Sequence, residues 1–145
     1  MEAKITKVAA VSENSTVAEA NLFTSQAAAG FPSVGDDSVE ETMDLNDLLV
    51  DNPTATFFVK VAGDSMEGAR IFDGDILVIN RSLNPQSGNL VIAAVNGELV
   101  VKRLHKTAAG MSLVSENEAY EPILLEESDD CFIWGVVTGS ARKLS

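Results

Sequence analysis

Two side chains in this sequence, Ser65 and Lys102, are together sufficient for acyl-transfer chemistry. Ser65 lies in Gly63-Asp64-Ser65-Met66, directly after the apolar run Thr56-Phe57-Phe58-Val59-Lys60-Val61-Ala62. A strand that ends in such a turn presents a hydroxyl on a rigid edge. Lys102 lies in Glu98-Leu99-Val100-Val101-Lys102-Arg103-Leu104. Alternate residues of a strand share a face, so Lys102 sits with Val100 and Leu104, both apolar. Burying an ammonium among such neighbours costs solvation and favours the neutral amine. A neutral lysine is a general base, and a serine hydroxyl is a nucleophile that needs one. Arg103 holds its proton too tightly to serve, and Lys106 lies beyond the end of the apolar alternation. Spacing alone also allows an ordinary turn at Ser65 and a lysine that snorkels to water.

Little else in the sequence competes for a catalytic role. There is one histidine, His105, and one cysteine, Cys131, far apart and without the spacing of metal ligands. His105 reads as an exposed strand-end residue. Cys131, ahead of Phe132-Ile133-Trp134, reads as a small hydrophobe. A lone cysteine forms no intramolecular disulfide, which suits a reducing cytoplasm. The glycines form no phosphate-cradling motif, so no cofactor or metal is expected. Ten Lys and Arg against twenty-two Asp and Glu give a net charge of −12. Such a surface repels phosphates, which argues against direct nucleic-acid binding and for a partner with a basic face. No apolar run approaches membrane-spanning length, and Val8-Ala9-Ala10-Val11 is too short for a signal-peptide core. Ala27-Ala28-Ala29 before Gly30 has the small residues of a signal peptidase site but lacks the apolar region that should precede it.

The elements that must position Ser65 and Lys102 are β-strands. A chain of 145 residues with 46% apolar residues can fill one core. From Thr54 onward, strands are predicted at 55–62, 75–79, 89–95, 98–104, 111–115 and 131–138. Asn96-Gly97 is a type I′ hairpin signal and fixes the register of Lys102. Asp73-Gly74-Asp75 and Asn84-Pro85-Gln86-Ser87-Gly88 read as further turns. Before Thr54, Leu45, Leu48 and Leu49 predict a short helix from Asp44 to Val50 that docks on the core, with Asp44 as N-cap and Pro53 ending it. The acidic runs at 36–51 and 126–130 read as solvated faces. Residues 1–29 are small and polar, with Ile5, Val8 and Val11 able to pack as a strand or helical turn. They read as a mobile arm, too short for a helix-turn-helix domain. The fold expected is a mostly-β, irregular domain over 30–145 with one short helix.

Five motifs in fixed order carry a family resemblance: Ala29-Gly30-Phe31-Pro32-Ser33, Asp44-Leu45-Asn46-Asp47-Leu48-Leu49, Gly63-Asp64-Ser65-Met66, Asp73-Gly74-Asp75 and Val100-Val101-Lys102-Arg103-Leu104. Together they resemble the UmuD family, self-cleaving accessory subunits of error-prone translesion polymerases, grouped with the LexA-type repressors. The resemblance implies a LexA/signal-peptidase-like β domain with a Ser65–Lys102 dyad and an oxyanion site made by backbone N–H groups around Asp64 and Ser65. It places self-cleavage at Ala29-Gly30, where small residues let an extended strand enter a narrow cleft. It further implies a cytoplasmic homodimer with two partners. One is a recombinase filament on single-stranded DNA, which triggers cleavage as part of the SOS response to DNA damage. The other is the catalytic subunit of a translesion DNA polymerase, which uses the trimmed form. The apolar strand Phe132–Val137 is a candidate dimer interface. Alternatives are a LexA or phage-repressor-type protease, a signal-peptidase-like protease acting in trans, or a non-catalytic binding module of the same fold.

Overall fold

A computed structural model describes residues 2–11, 19–23, 39–117, 120–124 and 131–145. The chain divides into two units, residues 1–11 with 52–145, and residues 12–51.

The larger unit is a single antiparallel sheet. Its strands are β1 (Lys4–Ala10), β4 (Thr56–Ala62), β5 (Ile76–Asn80), β6 (Leu90–Val95), β7 (Glu98–Thr107), β8 (Gly110–Val114), β9 (Ile123–Leu124) and β10 (Cys131–Ala141). The order is β1-β4-β5-β10-β6-β7-β8-β9, and a further pairing of Lys4 with Val100 links β1 back to β7. That link closes β1, β4, β5, β10, β6 and β7 into a ring. Every predicted strand after Thr54 is present within a few residues, because each combines β-branched or aromatic residues with turn chemistry at its ends. Asn96 and Gly97 both have positive φ, 50° and 81°. This is the backbone a type I′ turn demands, and it pairs Val95 with Glu98 and Val91 with Lys102.

Apolar side chains collect on both faces of the sheet. One cluster holds Val59, Val61, Met66, Ile71, Leu77, Ile79, Ile92 and Val101, with Ala3 among them. The other holds Val91, Ala93, Val100, Leu104, Leu113 and Val136. Strand β7 alternates between them, sending Val101 to the first and Val100 and Leu104 to the second. Cys131 is half-buried against the second cluster, and burial pushes its thiol pKa up. Strand β10, the candidate interface, lies between β5 and β6, with Phe132 exposed.

The smaller unit contains a two-stranded sheet, β2 (Glu19–Phe23) against β3 (Val39–Asp44), followed by the helix α1 (Leu45–Leu49). The Asp44 carboxylate accepts a hydrogen bond from the Asn46 N–H at 3.0 Å, as expected of an N-cap. The apolar face expected of this helix is not buried. The helix buries none of its residues, and Leu45 and Leu48 are exposed. A five-residue helix has one and a half turns, too few to present a continuous apolar stripe.

Of the two packings open to the first residues, strand or helical turn, the strand is the one seen. Lys4–Ala10 is a strand of the main sheet, paired with β4 from Lys4↔Ala62 to Ala10↔Phe57. Only Ile5 in β1 is even half-buried, so ladder hydrogen bonds hold it rather than apolar burial. The Ala29-Gly30 bond falls in the connection between β2 and β3, outside the described residues.

Candidate active site

Ser65 sits just beyond the end of β4 and is fully buried. Gly63 makes the exit from the strand possible with a φ of 115°, a region that only glycine enters without strain. The turn is fastened by Asp73-Gly74-Asp75. The Asp73 carboxylate accepts from the Gly63 N–H at 3.0 Å, and the Gly74 N–H donates to the Val61 carbonyl at 2.7 Å. Asp75, fully buried, accepts from the Phe72 N–H at 2.9 Å and pairs with Arg142 at 2.8 Å. The Asp73-Gly74-Asp75 motif thus holds the serine turn in place. On the other side of Ser65, Met66 is buried in the first cluster, and its carbonyl accepts from the Ala69 and Ile71 N–H groups. A 3-10 turn, Glu67–Ala69, follows. Within it the Gly68 backbone lies against the Glu116 carbonyl so closely that a Cβ there would stand 2.4 Å from that oxygen. Gly68 therefore lets the Ser65 loop lie against the segment after β8.

Lys102 comes from the middle of β7 and is 1% exposed, although it is a lysine. Its neighbours on the face, Val100 and Leu104, are buried as the alternation predicts. A buried ammonium needs polar partners. Its Nζ donates to the Ser115 hydroxyl at 2.7 Å, forms an ion pair with the Glu2 carboxylate, and lies 5.9 Å from the centre of the Tyr120 ring. Burial, followed by its hydrogen bond to the Asp64 carboxylate at 3.0 Å, pushes the Tyr120 hydroxyl pKa up, so it remains a donor. Ser115 is buried and follows β8, which pairs with β7 so that Val114 faces Arg103. An Arg103–Glu116 ion pair lies next to the Lys102–Ser115 contact.

Ser65 and Lys102 are brought together through adjacent residues of one segment. The Ala3 N–H donates to the Ser65 Oγ at 2.7 Å, while Glu2 pairs with Lys102. Their polar atoms are therefore within the span of a dipeptide. Among the described residues, the lysine nitrogen is engaged by Ser115 and Glu2 and the serine oxygen by Ala3. Of the other residues weighed from sequence, His105 is exposed at the outer half of β7. Lys106 is exposed, its ammonium donating to the Pro85 carbonyl at 2.9 Å. No cluster of potential metal ligands occurs among the described residues. No described helix is long and apolar enough to cross a membrane.

Four participants escaped the sequence reading: Glu2, Ala3, Ser115 and Tyr120. Ser115 had a usable signal. Thr107 pairs with Gly110, and carrying that hairpin register inward sets Ser115 opposite Lys102. Glu2 and Ala3 had none, since nothing local says where a strand of mostly exposed residues will pair.

The chain is similar to known proteins over most of its length. The sequence pattern of the family described as Peptidase S24-like matches residues 21–138. Protein SamA of Salmonella typhimurium is 41% identical over 124 residues, covering 86% of either chain. Protein MucA of Escherichia coli is 36% identical over 120 residues, 82% of either chain. The LexA repressor of Thiobacillus denitrificans is 33% identical over 119 residues, which span 81% of this chain but 59% of that longer protein. With a mostly-β fold and a family match across most of its length, the chain belongs to the Peptidase S24-like family of serine-type, SOS-related self-cleaving proteins, in its UmuD branch.

Proposed function

We propose that this protein cuts its own Ala29-Gly30 bond, with Ser65 as nucleophile and Lys102 as general base. We further propose that a recombinase filament on single-stranded DNA stimulates the cut. The trimmed product then serves, as a cytoplasmic homodimer, as a subunit of an error-prone translesion DNA polymerase. The single observation that carries the reading is the burial of a serine hydroxyl and a lysine amine within reach of two successive residues, Glu2 and Ala3. A buried lysine beside a buried serine is the group this chemistry requires.

The atoms balance without a metal or cofactor. Neutral Lys102 Nζ takes the Ser65 hydroxyl proton as Oγ attacks the Ala29 carbonyl carbon. Backbone N–H groups around Asp64 and Ser65 stabilise the oxyanion. Collapse breaks the Ala29–Gly30 C–N bond, and the lysine proton passes to the Gly30 nitrogen. Water then hydrolyses the Ser65 ester. Tethering substrate to enzyme replaces affinity with effective concentration. The test is incubation of the purified protein at alkaline pH, which deprotonates amines. Loss of about 3 kDa is expected, the mass of a 29-residue segment.

The site of the cut is tested separately. N-terminal sequencing should find a product that begins at Gly30, and Gly30→Glu should block release because a long charged side chain enters a cleft shaped for none. A product beginning elsewhere removes this assignment and leaves the dyad untouched.

Ser115 is a positioning residue in this scheme. Its hydroxyl accepts from Nζ and holds the amine in one direction. Ser115→Ala should slow release about tenfold, the rate equivalent of one buried hydrogen bond. Ser115→Thr should restore most of the rate, which a purely packing role would not predict.

A further inference from the structure

Between β4, which leads to Ser65, and β7, which carries Lys102, lies the groove where a strand to be cut would have to enter. In this structure residues 2–10 fill it. Lys4 pairs with Ala62 on one side and Val100 on the other. The Ala3 carbonyl accepts from the Val101 N–H at 2.9 Å, and Ala3 is 1% exposed within the first apolar cluster. This is strand addition to two sheet edges, with a small side chain at the serine.

The docked segment is set for inhibition rather than hydrolysis. Ala3 offers Ser65 an N–H, which occupies a lone pair on Oγ, and its carbonyl is engaged by Val101 instead. Glu2 meanwhile pairs with Lys102, and an ammonium that keeps its proton for a carboxylate cannot accept one from serine. Lys102 faces only Glu2, Ser115 and the Tyr120 ring among the described groups, so Glu2 is the one anion on it.

We propose that Glu2–Ala10 is an intrasteric occupant of the substrate groove, holding the dyad off through Ala3 on Ser65 and Glu2 on Lys102, and that it must leave before Ala29-Gly30 can enter. The proposal rests on the Ser–Lys reading above. The segment is built to be displaced. Apart from Ala3 it buries almost nothing apolar, and its ladder with β7 is one residue pair long, Lys4 with Val100, beside the Ala3–Val101 hydrogen bond and the ion pairs of Glu2 and Lys4. Beyond that residue pair the strands part, leaving a cleft of about 400 Å³ lined by Lys4–Val8 and Gly97–Leu99. Its outer ion pair, Lys4 with Glu98 at 3.0 Å, is solvent-exposed and contributes little. A stimulating partner would then need only to shift a shallow equilibrium between two strands competing for one groove.

Two variants test this on the full-length protein without any filament. Glu2→Gln removes the charge on Lys102 and keeps the side chain's size. Val8→Pro cannot make the same ladder with Val59 and weakens the strand. Each is expected to release the arm about tenfold faster than wild type at neutral pH, by intact mass. Amide hydrogen exchange should show residues 3–10 protected in wild type and less protected in Val8→Pro. Unprotected wild-type amides overturn the proposal, as do unchanged or slower release rates in both variants. If no protein sheds its arm even at alkaline pH, the Ser–Lys reading fails and inhibition fails with it. The exchange data would then report groove occupancy alone.

Discussion

Replacing Ser65 by alanine is expected to abolish arm release while the sheet remains folded. The residue is fully buried at the end of β4, and the substitution removes one oxygen without adding bulk. The turn around it does not depend on the hydroxyl. Gly63 is fixed by Asp73, and Met66 is anchored in the first cluster with its carbonyl accepting two N–H groups. What the alanine does take away is the oxygen that accepts from the Ala3 N–H. An orphaned buried donor costs about 1–3 kcal/mol, and here the cost falls on a strand already held lightly. The expected result is therefore a protein with unchanged far-ultraviolet circular dichroism and a loosened β1. Without the nucleophile, release should fall by about a thousandfold or more, since deleting such a group removes the covalent step itself. The measurement is intact mass over time at alkaline pH, wild type beside variant. Comparable release from Ser65→Ala would show that another group performs the attack.

How much of this was legible in the sequence depended on whether the controlling interactions were local. The Asn96-Gly97 turn determines the pairing of β6 with β7, and with it the face of Lys102. Three residues of alternation then place Lys102 between Val100 and Leu104. Asp44 as N-cap is equally local. Ser65 at a strand end follows from an apolar run stopped by glycine. What the sequence did not reveal is non-local. The ring is closed by β1, whose side chains are mostly exposed and whose partners lie far along the chain, from Phe57 opposite Ala10 to Val100 opposite Lys4. A strand held by backbone hydrogen bonds leaves little apolar pattern to read. The five-residue helix illustrates the opposite failure. Its Leu45, Leu48 and Leu49 have helical spacing, and the helix forms, yet spacing predicts a face and not what covers it.

Lys102 gives the sharpest test of mechanism, because arginine keeps its charge but loses its chemistry. Lys102→Arg is expected to release the arm at least about a hundredfold more slowly, the usual span for losing a general base. A guanidinium does not give up its proton in proteins, so the Glu2 ion pair can persist while catalysis cannot. Lys102→Ala is less informative, since it leaves the Glu2 carboxylate without its cation and adds a folding cost of its own. Lys106→Ala is the control. That side chain is exposed, its ammonium reaches only the Pro85 carbonyl, and release should proceed almost as in wild type. The wild-type pH profile supplies the second half of the test. Only the unprotonated amine can take the serine proton, so release should rise from neutral to alkaline pH. Two events then contribute at high pH, loss of the lysine proton and loss of the Lys102–Glu2 ion pair that depends on it. Glu2→Gln separates them, because it removes the ion pair and leaves the amine. If both parts are right, this variant should release the arm faster than wild type at neutral pH and its rate should still rise with pH. Lys102→Arg should stay flat and low throughout. Normal release by Lys102→Arg, or a wild-type rate that does not change between neutral and strongly alkaline pH, would exclude this lysine as the base.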